Sequence, residues 1–245
     1  MEVFSKFITQ SIQILLLAHT PKNQIVVFEK YFGQIVPYSC GNSGDQYIFR
    51  LTFHSNASVV SNINEAIRVR RSVYPAQYID KPIPKEIIQT LLENANHAPT
   101  HRRTEPWRFK VFMGDAKDAL GSFLSNKFKE TIDATNEIKI KKIKSNCQSA
   151  GAVIAIIMHR DEKESVPEWE ELASVSMAVQ NMWVALDQYE LGGYWSSPPL
   201  RNYLNEHVSM QDNESCLGFF YLGYCKPIDQ IIKKGAIEDK VEWVE

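Results

Sequence analysis

Ala152-Val153-Ile154-Ala155-Ile156-Ile157-Met158 is a continuous apolar run, rich in β-branched residues, that lies between Gly151 and a charged loop. A run of this length and composition is typical of a strand that is buried on both faces. We therefore predict that residues 152–158 form the central strand of the sheet.

Two other segments have the pattern of strands. Trp107–Phe112 alternates apolar and basic side chains, which predicts a strand with one buried face. Residues 216–224 form a second strand-like segment. The chain has 245 residues, of which 44% are hydrophobic, and this is enough to fill a sizeable core.

Helical periodicity appears before and between these strands. A first helix is predicted from Asn62 to the Arg70-Arg71-Ser72 motif, and an amphipathic helix over Lys85–Asn96. Residues 115–147 predict two helical segments whose lysines form a solvated face. Cations at a helix C-terminus also complement its dipole, so the two arginines alone do not establish a binding site.

A long helix is predicted from Pro167 to about Glu190, and it is apolar on nearly all sides. Its apolar residues include Leu172, Val175, Met177, Val179, Met182, Trp183, Ala185 and Leu186. Such a helix is buried, either in the core or against a second subunit. Gly192-Gly193 is predicted to end the helix, with a glycine as its left-handed cap, and residues 194–199 are predicted to form a loop against a flat polar ligand.

The join between the amphipathic helix and the strand at Trp107 concentrates polar groups. Residues 98–109 read Ala-Pro-Thr-His-Arg-Arg-Thr-Glu-Pro-Trp-Arg-Phe, with two prolines that restrict the backbone. One imidazole, two guanidiniums, two hydroxyls and a carboxylate lie between those prolines. We interpret this join as part of a binding site.

Composition excludes several classes of protein. Lys+Arg 27 against Asp+Glu 29 leaves no overall basic field for nucleic acid or an anionic membrane. The four cysteines lie far apart without metal-ligand spacing, which indicates reduced thiols and a cytoplasmic protein without a metal site. No apolar run reaches the roughly 18 residues of a membrane span. No hydrolytic motif is present, so we expect a bound cofactor to carry the chemistry.

Residues 1–60 differ from the rest of the chain. They mix aromatic residues with turn formers and show no sustained helical period. We interpret them as an N-terminal extension of unknown role, or as a mis-called start, and residues 61–245 as the folded domain.

Several motifs in this order carry a family resemblance. They are Arg70-Arg71-Ser72, Ala98-Pro99-Thr100-His101 through Glu105-Pro106-Trp107, Gly192-Gly193-Tyr194-Trp195-Ser196-Ser197, the segment 217–224, and the tail 234–242. Together they make the chain from about Asn62 onward resemble the FMN-dependent nitroreductase family, in particular its small bacterial NAD(P)H nitroreductase branch. The resemblance implies an α+β fold with a central, mostly antiparallel sheet flanked by helices. It also implies a homodimer with FMN at the subunit interface.

The resemblance further assigns cofactor contacts to residues of this chain. It implies that the phosphate and ribityl chain of FMN are held by an Arg-Arg-Ser motif, which here is Arg70, Arg71 and Ser72. It assigns flavin contacts to the remaining matching residues, which are His97, His101, Trp195, Ser196, Ser197 and the tail residue Lys234. Within this set, one histidine is expected to reach the flavin across the dimer.

The implied activity passes hydride from NAD(P)H through FMN to a nitroaromatic or quinone-type acceptor, with no catalytic residue of the protein's own. Related flavin chemistry, such as reductive dehalogenation or flavin fragmentation, and a non-catalytic binding module stay open as alternatives. Arg103 and Glu105 depart from the Asn and Gln that are more common in the family. The roles of Arg102, Arg103 and Glu105, the physiological acceptor and the choice between NADH and NADPH are therefore left open.

Overall fold

The computed structural model describes residues 63–226 and 234–245. The proposed extension at 1–60 and the predicted start of the first helix at Asn62 lie outside these residues.

A five-stranded antiparallel sheet forms the centre of the domain. Its strands are β1 (Tyr78–Ile79), β2 (Trp107–Phe112), β3 (Ala152–His159), β4 (Leu191–Ser196) and β5 (Glu214–Cys225). Their order is β1-β5-β3-β2, and β4 pairs with the other edge of β5. The predicted run 152–158 is confirmed as a central strand, because β3 pairs with β2 on one side and β5 on the other.

Helices cover both faces of this sheet. They are α1 (Ile63–Val69), α2 (Lys85–Asn96), α3 (Asp115–Thr131), α4 (Glu137–Ser149) and α5 (Glu168–Ala185). Short 3₁₀ segments follow α2 at His101–Arg103 and β4 at Pro199–Glu206. The predicted α+β class is thereby confirmed, as are the helix at α2 and the two helices within 115–147.

The alternation of side chains along β3 divides the core into two halves. Ile154 and Ile156 pack with α2 and α5, whereas Val153, Ala155 and Ile157 pack with α3, α4 and the segment Pro199–Glu206. Both halves shield β3 from solvent, since every residue from 152 to 157 is fully buried. This is the result expected of a strand with apolar residues at every position.

The first helix ends earlier than predicted. It ends at Val69, so Arg70, Arg71 and Ser72 follow the helix and have their own backbone contacts. Its apolar residues Ile63 and Ile67 are exposed, and no residue of α1 is buried. Helical periodicity indicates that a helix has an apolar face, but not what covers that face.

The predicted end of the long helix is also wrong. Helix α5 ends at Ala185, and a 3₁₀ turn at Asp187–Tyr189 leads to Glu190, which adopts the left-handed conformation with φ of 57°. Gly192 and Gly193 lie inside β4 and cap nothing. A β-carbon at Gly193 would lie 2.6 Å from Leu186 Cδ1, so close packing explains the glycine there.

Candidate functional site

The Arg-Arg-Ser segment runs alongside strand β4. Ser72 forms a parallel bridge with Gly193, and the Val73 N–H donates to the Gly193 carbonyl oxygen at 2.9 Å. These backbone contacts fix the segment at the edge of the sheet. The side chain of Ser72 is exposed, while those of Arg70 and Arg71 are half-buried.

Trp183, near the end of α5, holds both arginines. The Arg70 guanidinium carbon lies 4.6 Å from the centre of the Trp183 ring, which is a cation–π contact. The indole Nε1 of Trp183 donates to the Arg71 carbonyl oxygen at 3.1 Å. Phe220 of β5 packs edge-on against the same ring at 5.1 Å. One half-buried aromatic side chain therefore links the segment to α5 and to the sheet.

Arg71 interacts electrostatically with the carboxyl group of Asp187, as does Glu65. Burial raises the pKa of the Asp187 carboxyl above its usual value, Glu65 raises it further, and Arg71 opposes both effects. Arg71 thus offsets part of the negative charge of these two carboxylates.

Trp195 and Ser196 belong to the same sheet edge. The predicted loop at these residues is wrong: both lie in β4, where they face Phe220 and Phe219 of β5. Ser197 follows the strand and is exposed. The indole Nε1 of Trp195 is buried and has no hydrogen-bond partner within the described residues. Strand pairing, rather than a flexible loop, sets the position of this part of the site.

The donor set of this edge suits a phosphorylated ligand. Two guanidiniums and an exposed hydroxyl come from three consecutive residues beside Gly193, two positions before Trp195. Guanidinium groups match phosphate oxygens in geometry as well as charge. Arg70, Arg71 and Ser72 could hold a phosphate, with Trp195 and Ser196 beside the group attached to it.

His97 and His101 lie near opposite ends of α5. His97 ends α2 and is exposed, and the neighbouring Asn94 carbonyl oxygen accepts from Asn181 Nδ2 at 3.1 Å. His101 Nδ1 lies 2.5 Å from Glu170 Oε2 in the first turn of α5. The C-terminal part of α2 therefore meets the C-terminal third of α5, and the polar turn after it meets the start of α5.

Helix α5 separates His101 from the arginines. Glu170 is the partner of His101, and Trp183 is the residue on which Arg70 stacks. These two residues of α5 are 13 positions apart in sequence, which at 1.5 Å per residue is about 20 Å along the helix. The structure therefore joins Arg70, Arg71 and Ser72 to Trp195 and Ser196. It does not bring His101 to them within one subunit.

The turn that carries His101 has an unusual backbone. Arg102, Arg103 and Glu105 have φ values of 50°, 57° and 42°, although none of them is glycine. Such left-handed conformations cost of the order of 1 kcal/mol each and are concentrated at functional sites. All three side chains are exposed, and in the described ranges neither arginine forms an ion pair.

Interior contacts hold this turn in place. Trp107 is only 5% exposed and its Nε1 donates to Asn96 Oδ1 at 3.0 Å, which confirms the prediction that Trp107 belongs to the core. The Glu105 N–H donates to Thr100 Oγ1 at 3.2 Å. The two ends of the turn are therefore anchored, while its middle faces solvent.

Lys234 stays an unplaced candidate. It is exposed, and within residues 63–226 and 234–245 no hydrogen bond or ion pair joins it to the Arg70–Ser72 segment.

Two residues of this arrangement were not predicted as site residues, namely Trp183 and Glu170. Trp183 lies off the main apolar stripe of its helix, and an indole packed against the core usually finds a partner for its N–H group, so the sequence contained a signal for it. Glu170 is one of several acidic residues in the first turn of α5, where the helix dipole alone explains such residues.

Comparison with known proteins identifies the family of this chain. The sequence profile of the nitroreductase family matches residues 67–224, which is more than half of the chain. The chain belongs to the nitroreductase family. The family predicted from the ordered motifs and the predicted enzyme class are confirmed.

Individual relatives agree with this nitroreductase-family membership. The Bacillus subtilis protein "Putative NAD(P)H nitroreductase YfhC" is 27% identical over 184 residues, covering 74% of this chain and 93% of the relative. The nitroreductase-like family protein of Bacillus cereus superposes with a TM-score of 0.67 at 26% identity, covering 76% of this chain and 97% of its own. A third structure is the FMN-dependent nitroreductase NfnB of Mycobacterium smegmatis, in complex with NADPH. It shares the fold with a TM-score of 0.60 at 16% identity, covering 74% of this chain and 97% of its own.

The described part of this nitroreductase-family chain has neither a membrane-spanning helix nor a metal-binding cluster. Among the helices that the structure describes, none has the length and apolarity to cross a bilayer. The described residues also contain no group of three or more His, Cys, Asp or Glu side chains placed to hold a metal ion.

Proposed function

We propose that this protein is an FMN-dependent oxidoreductase that takes hydride from NAD(P)H and reduces nitroaromatic or quinone-type acceptors. The observation that carries the proposal is the placement of Arg70, Arg71 and Ser72 beside β4, next to Trp195 and Ser196. The proposal also draws on the names of the relatives, which are described as NAD(P)H or FMN-dependent nitroreductases.

FMN fits the hydrogen-bond donors of this site. Its phosphate would be held by the guanidiniums and by the exposed Ser72 hydroxyl, and its polar ring edge would meet Trp195 and the Ser196 backbone. When bound, FMN supplies the hydride-accepting chemistry that no side chain of the protein provides. The role of the protein is to position the cofactor, to hold its charge and to admit the second substrate.

We propose further that the active form is a homodimer. His101 lies about 20 Å along α5 from the residue that stacks on Arg70, so a flavin shared by both groups requires a second subunit. Exposed apolar side chains are available for such contact on α1, α5 and the C-terminal tail: Ile63, Ile67, Trp169, Leu172, Met177, Trp243 and Val244. Exposed apolar side chains of this kind are what contact with a second subunit would cover.

Cofactor binding is the first test. Purified protein should be yellow, and its oxidised flavin bands should bleach when NADH or NADPH is added without oxygen. The R70Q/R71Q variant should bind FMN at least tenfold more weakly, because each guanidinium supplies a charge-assisted bond of about 1.5–3 kcal/mol. R68Q is the matched control, since Arg68 is an exposed cation in the last turn of α1.

Colourless protein that takes up no FMN would contradict the cofactor assignment. Consumption of NAD(P)H with a nitroaromatic or a quinone tests the acceptor class. Dehalogenation of a halotyrosine, or fragmentation of the flavin under oxygen, without nitroaromatic reduction would favour the alternative chemistry. Light scattering should give twice the chain mass of 28.1 kDa, and a monomer with full FMN affinity would contradict the shared site.

A further inference from the structure

A single carboxylate orients the imidazole of His101. The Nδ1 atom of His101 lies 2.5 Å from Glu170 Oε2, and this bond joins residues 69 positions apart. The other ring nitrogen, Nε2, has no hydrogen-bond partner among the described residues, and the side chain is 55% exposed. The protein thus holds one ring nitrogen, Nδ1, and the other, Nε2, is free to contact a ligand.

Glu170 is well placed to orient that ring because its own backbone is held at two points. Its N–H donates to the Pro167 carbonyl oxygen at 3.0 Å, and its carbonyl oxygen accepts from Ser174 Oγ at 2.9 Å. The next residue, Glu171, is buried and ion-paired with Arg160. The first turn of α5 is therefore a rigid support for the Glu170 carboxylate.

The turn around His101 does not orient the ring by itself. Its hydrogen bonds act on the backbone of His101 or on other residues: the His101 carbonyl oxygen accepts from the Thr104 N–H at 3.3 Å and from Thr100 Oγ1 at 3.5 Å, and the Glu105 N–H donates to Thr100 Oγ1. Arg102 and Arg103 lie next to His101 but make no ion pair with Glu170. Within the described structure, the imidazole depends on Glu170 for its orientation.

A carboxylate on one ring nitrogen also selects the tautomer. The proton that the ring shares with Glu170 resides on Nδ1, and this leaves Nε2 as the atom that a ligand meets. We propose that Glu170 is a positioning residue that acts through His101 and presents Nε2 to the flavin. This role rests on the proposed function, since it needs a flavin at His101. In this role, Glu170 does not touch the flavin itself. It holds His101, which makes the direct contact.

The test is a double-mutant cycle on FMN affinity, measured by fluorescence quenching of the flavin on titration into the FMN-free full-length chain. E170A should weaken FMN binding about tenfold, as expected for the loss of one well-oriented bond, and E170Q should retain most of the affinity because its amide oxygen still accepts from Nδ1. H101A should weaken binding to a similar degree. In the H101A background, E170A should have no further effect, because two residues that act as one unit are not additive.

Two further measurements separate positioning from mere support of the turn. The ¹⁵N shifts of His101 should report a proton on Nδ1 in the wild type and a mixture of tautomers in E170A. E168A is the control, because Glu168 is an exposed carboxylate of the same helix turn. It should leave both the affinity and the tautomer unchanged.

The outcomes are distinct. If the wild type binds FMN and E170A binds it equally well, Glu170 merely fastens the turn to α5 and the proposed role is wrong, whatever happens to the melting temperature. Additive losses in the H101A/E170A variant would also overturn it. If the wild type binds no FMN, the proposed function itself fails, and the role of Glu170 toward flavin fails with it.

Discussion

Gly193 lies where the Arg70–Ser72 segment, the end of α5 and strand β5 meet. Its backbone bridges Ser72 and accepts the Val73 N–H, so this glycine sets the distance between the arginines and the sheet. A β-carbon here would lie 2.6 Å from Leu186 Cδ1 and 2.8 Å from Phe220 Cζ. The absence of a side chain is therefore a packing requirement of the candidate site.

We expect G193A to lower the free energy of unfolding by about 1–3 kcal/mol, because the added methyl group forces core side chains to move. The variant should also weaken FMN binding, since the shift is transmitted to Ser72. Denaturant unfolding and flavin titration measure the two effects. G235A is the control, because a β-carbon there would meet only the end of the exposed Lys240 side chain, at 3.2 Å. Equal stability of G193A and wild type would show that Leu186 and Phe220 yield without cost.

At the scale of elements, a network of polar groups around the buried Glu171 fixes the start of α5. Arg160, just after β3, donates to the Glu171 carboxylate and to the Val166 carbonyl oxygen. The Asp161 N–H donates to the other carboxylate oxygen of Glu171 at 3.0 Å. Glu171 is only 1% exposed, so its charge is fully enclosed by these partners. This network fixes the helix turn that carries Glu170.

We expect E171A to destabilise the fold by about 3 kcal/mol, because it leaves the Arg160 guanidinium, whose side chain is only 21% exposed, without its carboxylate partner. The paired replacement R160M/E171L should recover most of this loss, since apolar residues of similar volume remove both charges together. Urea unfolding of the three proteins checks both statements. A cost below about 1 kcal/mol for E171A would mean that water reaches Arg160 and replaces the carboxylate.

His207 predicts a dependence of stability on pH. It stacks on Phe123 with ring centres 4.8 Å apart and on Phe112 at 6.1 Å, and burial lowers the pKa of its imidazole below the ordinary 6.5. The unfolded chain therefore takes up this proton at a higher pH than the folded chain. Stability should fall as the pH drops below about 6.5.

The measurement for His207 is the free energy of unfolding between pH 7.5 and about pH 5. H207F should keep the stacking and lose this part of the pH dependence, whereas H97Q, at an exposed histidine, should keep it. An identical pH profile for H207F and wild type would assign the effect to other groups.

On the scale of the whole molecule, the sheet divides one domain into two dry halves. Cys147 of α4 and Cys216 of β5 both belong to the half that contains α3 and α4. Burial raises the pKa of each thiol to about 11. Thiolate, the reactive form, is therefore scarce at both residues near neutral pH.

We expect these two thiols to react with a disulfide reagent at pH 8 only when the whole domain unfolds. In a C40S/C225S variant, the labelling rate should rise with denaturant in parallel with the loss of secondary structure. The same variant in full denaturant gives the control rate. Rapid labelling of the native variant would reveal a local opening of the α3/α4 half.

The sequence by itself determined the elements whose pattern is local. The β-branched run at 152–158 identified the central strand, periodicity identified α2, α3 and α4, and ordered motifs identified the family. These signals succeed because strand and helix preferences, and burial on one face or two, depend on neighbouring residues. The placement of Trp107 in the core was predictable for the same reason.

Only the tertiary structure decided what the polar residues meet. The stacking of Arg70 on Trp183 and the bond of His101 to Glu170 join positions 113 and 69 apart, and no local pattern specifies such partners. The same holds for Gly193, which looks like a helix cap in the sequence and proves to be a close contact within a strand. Packing across the sheet and the helices selects these pairs, because a side chain's partner depends on which elements pack together and not on its sequence neighbours.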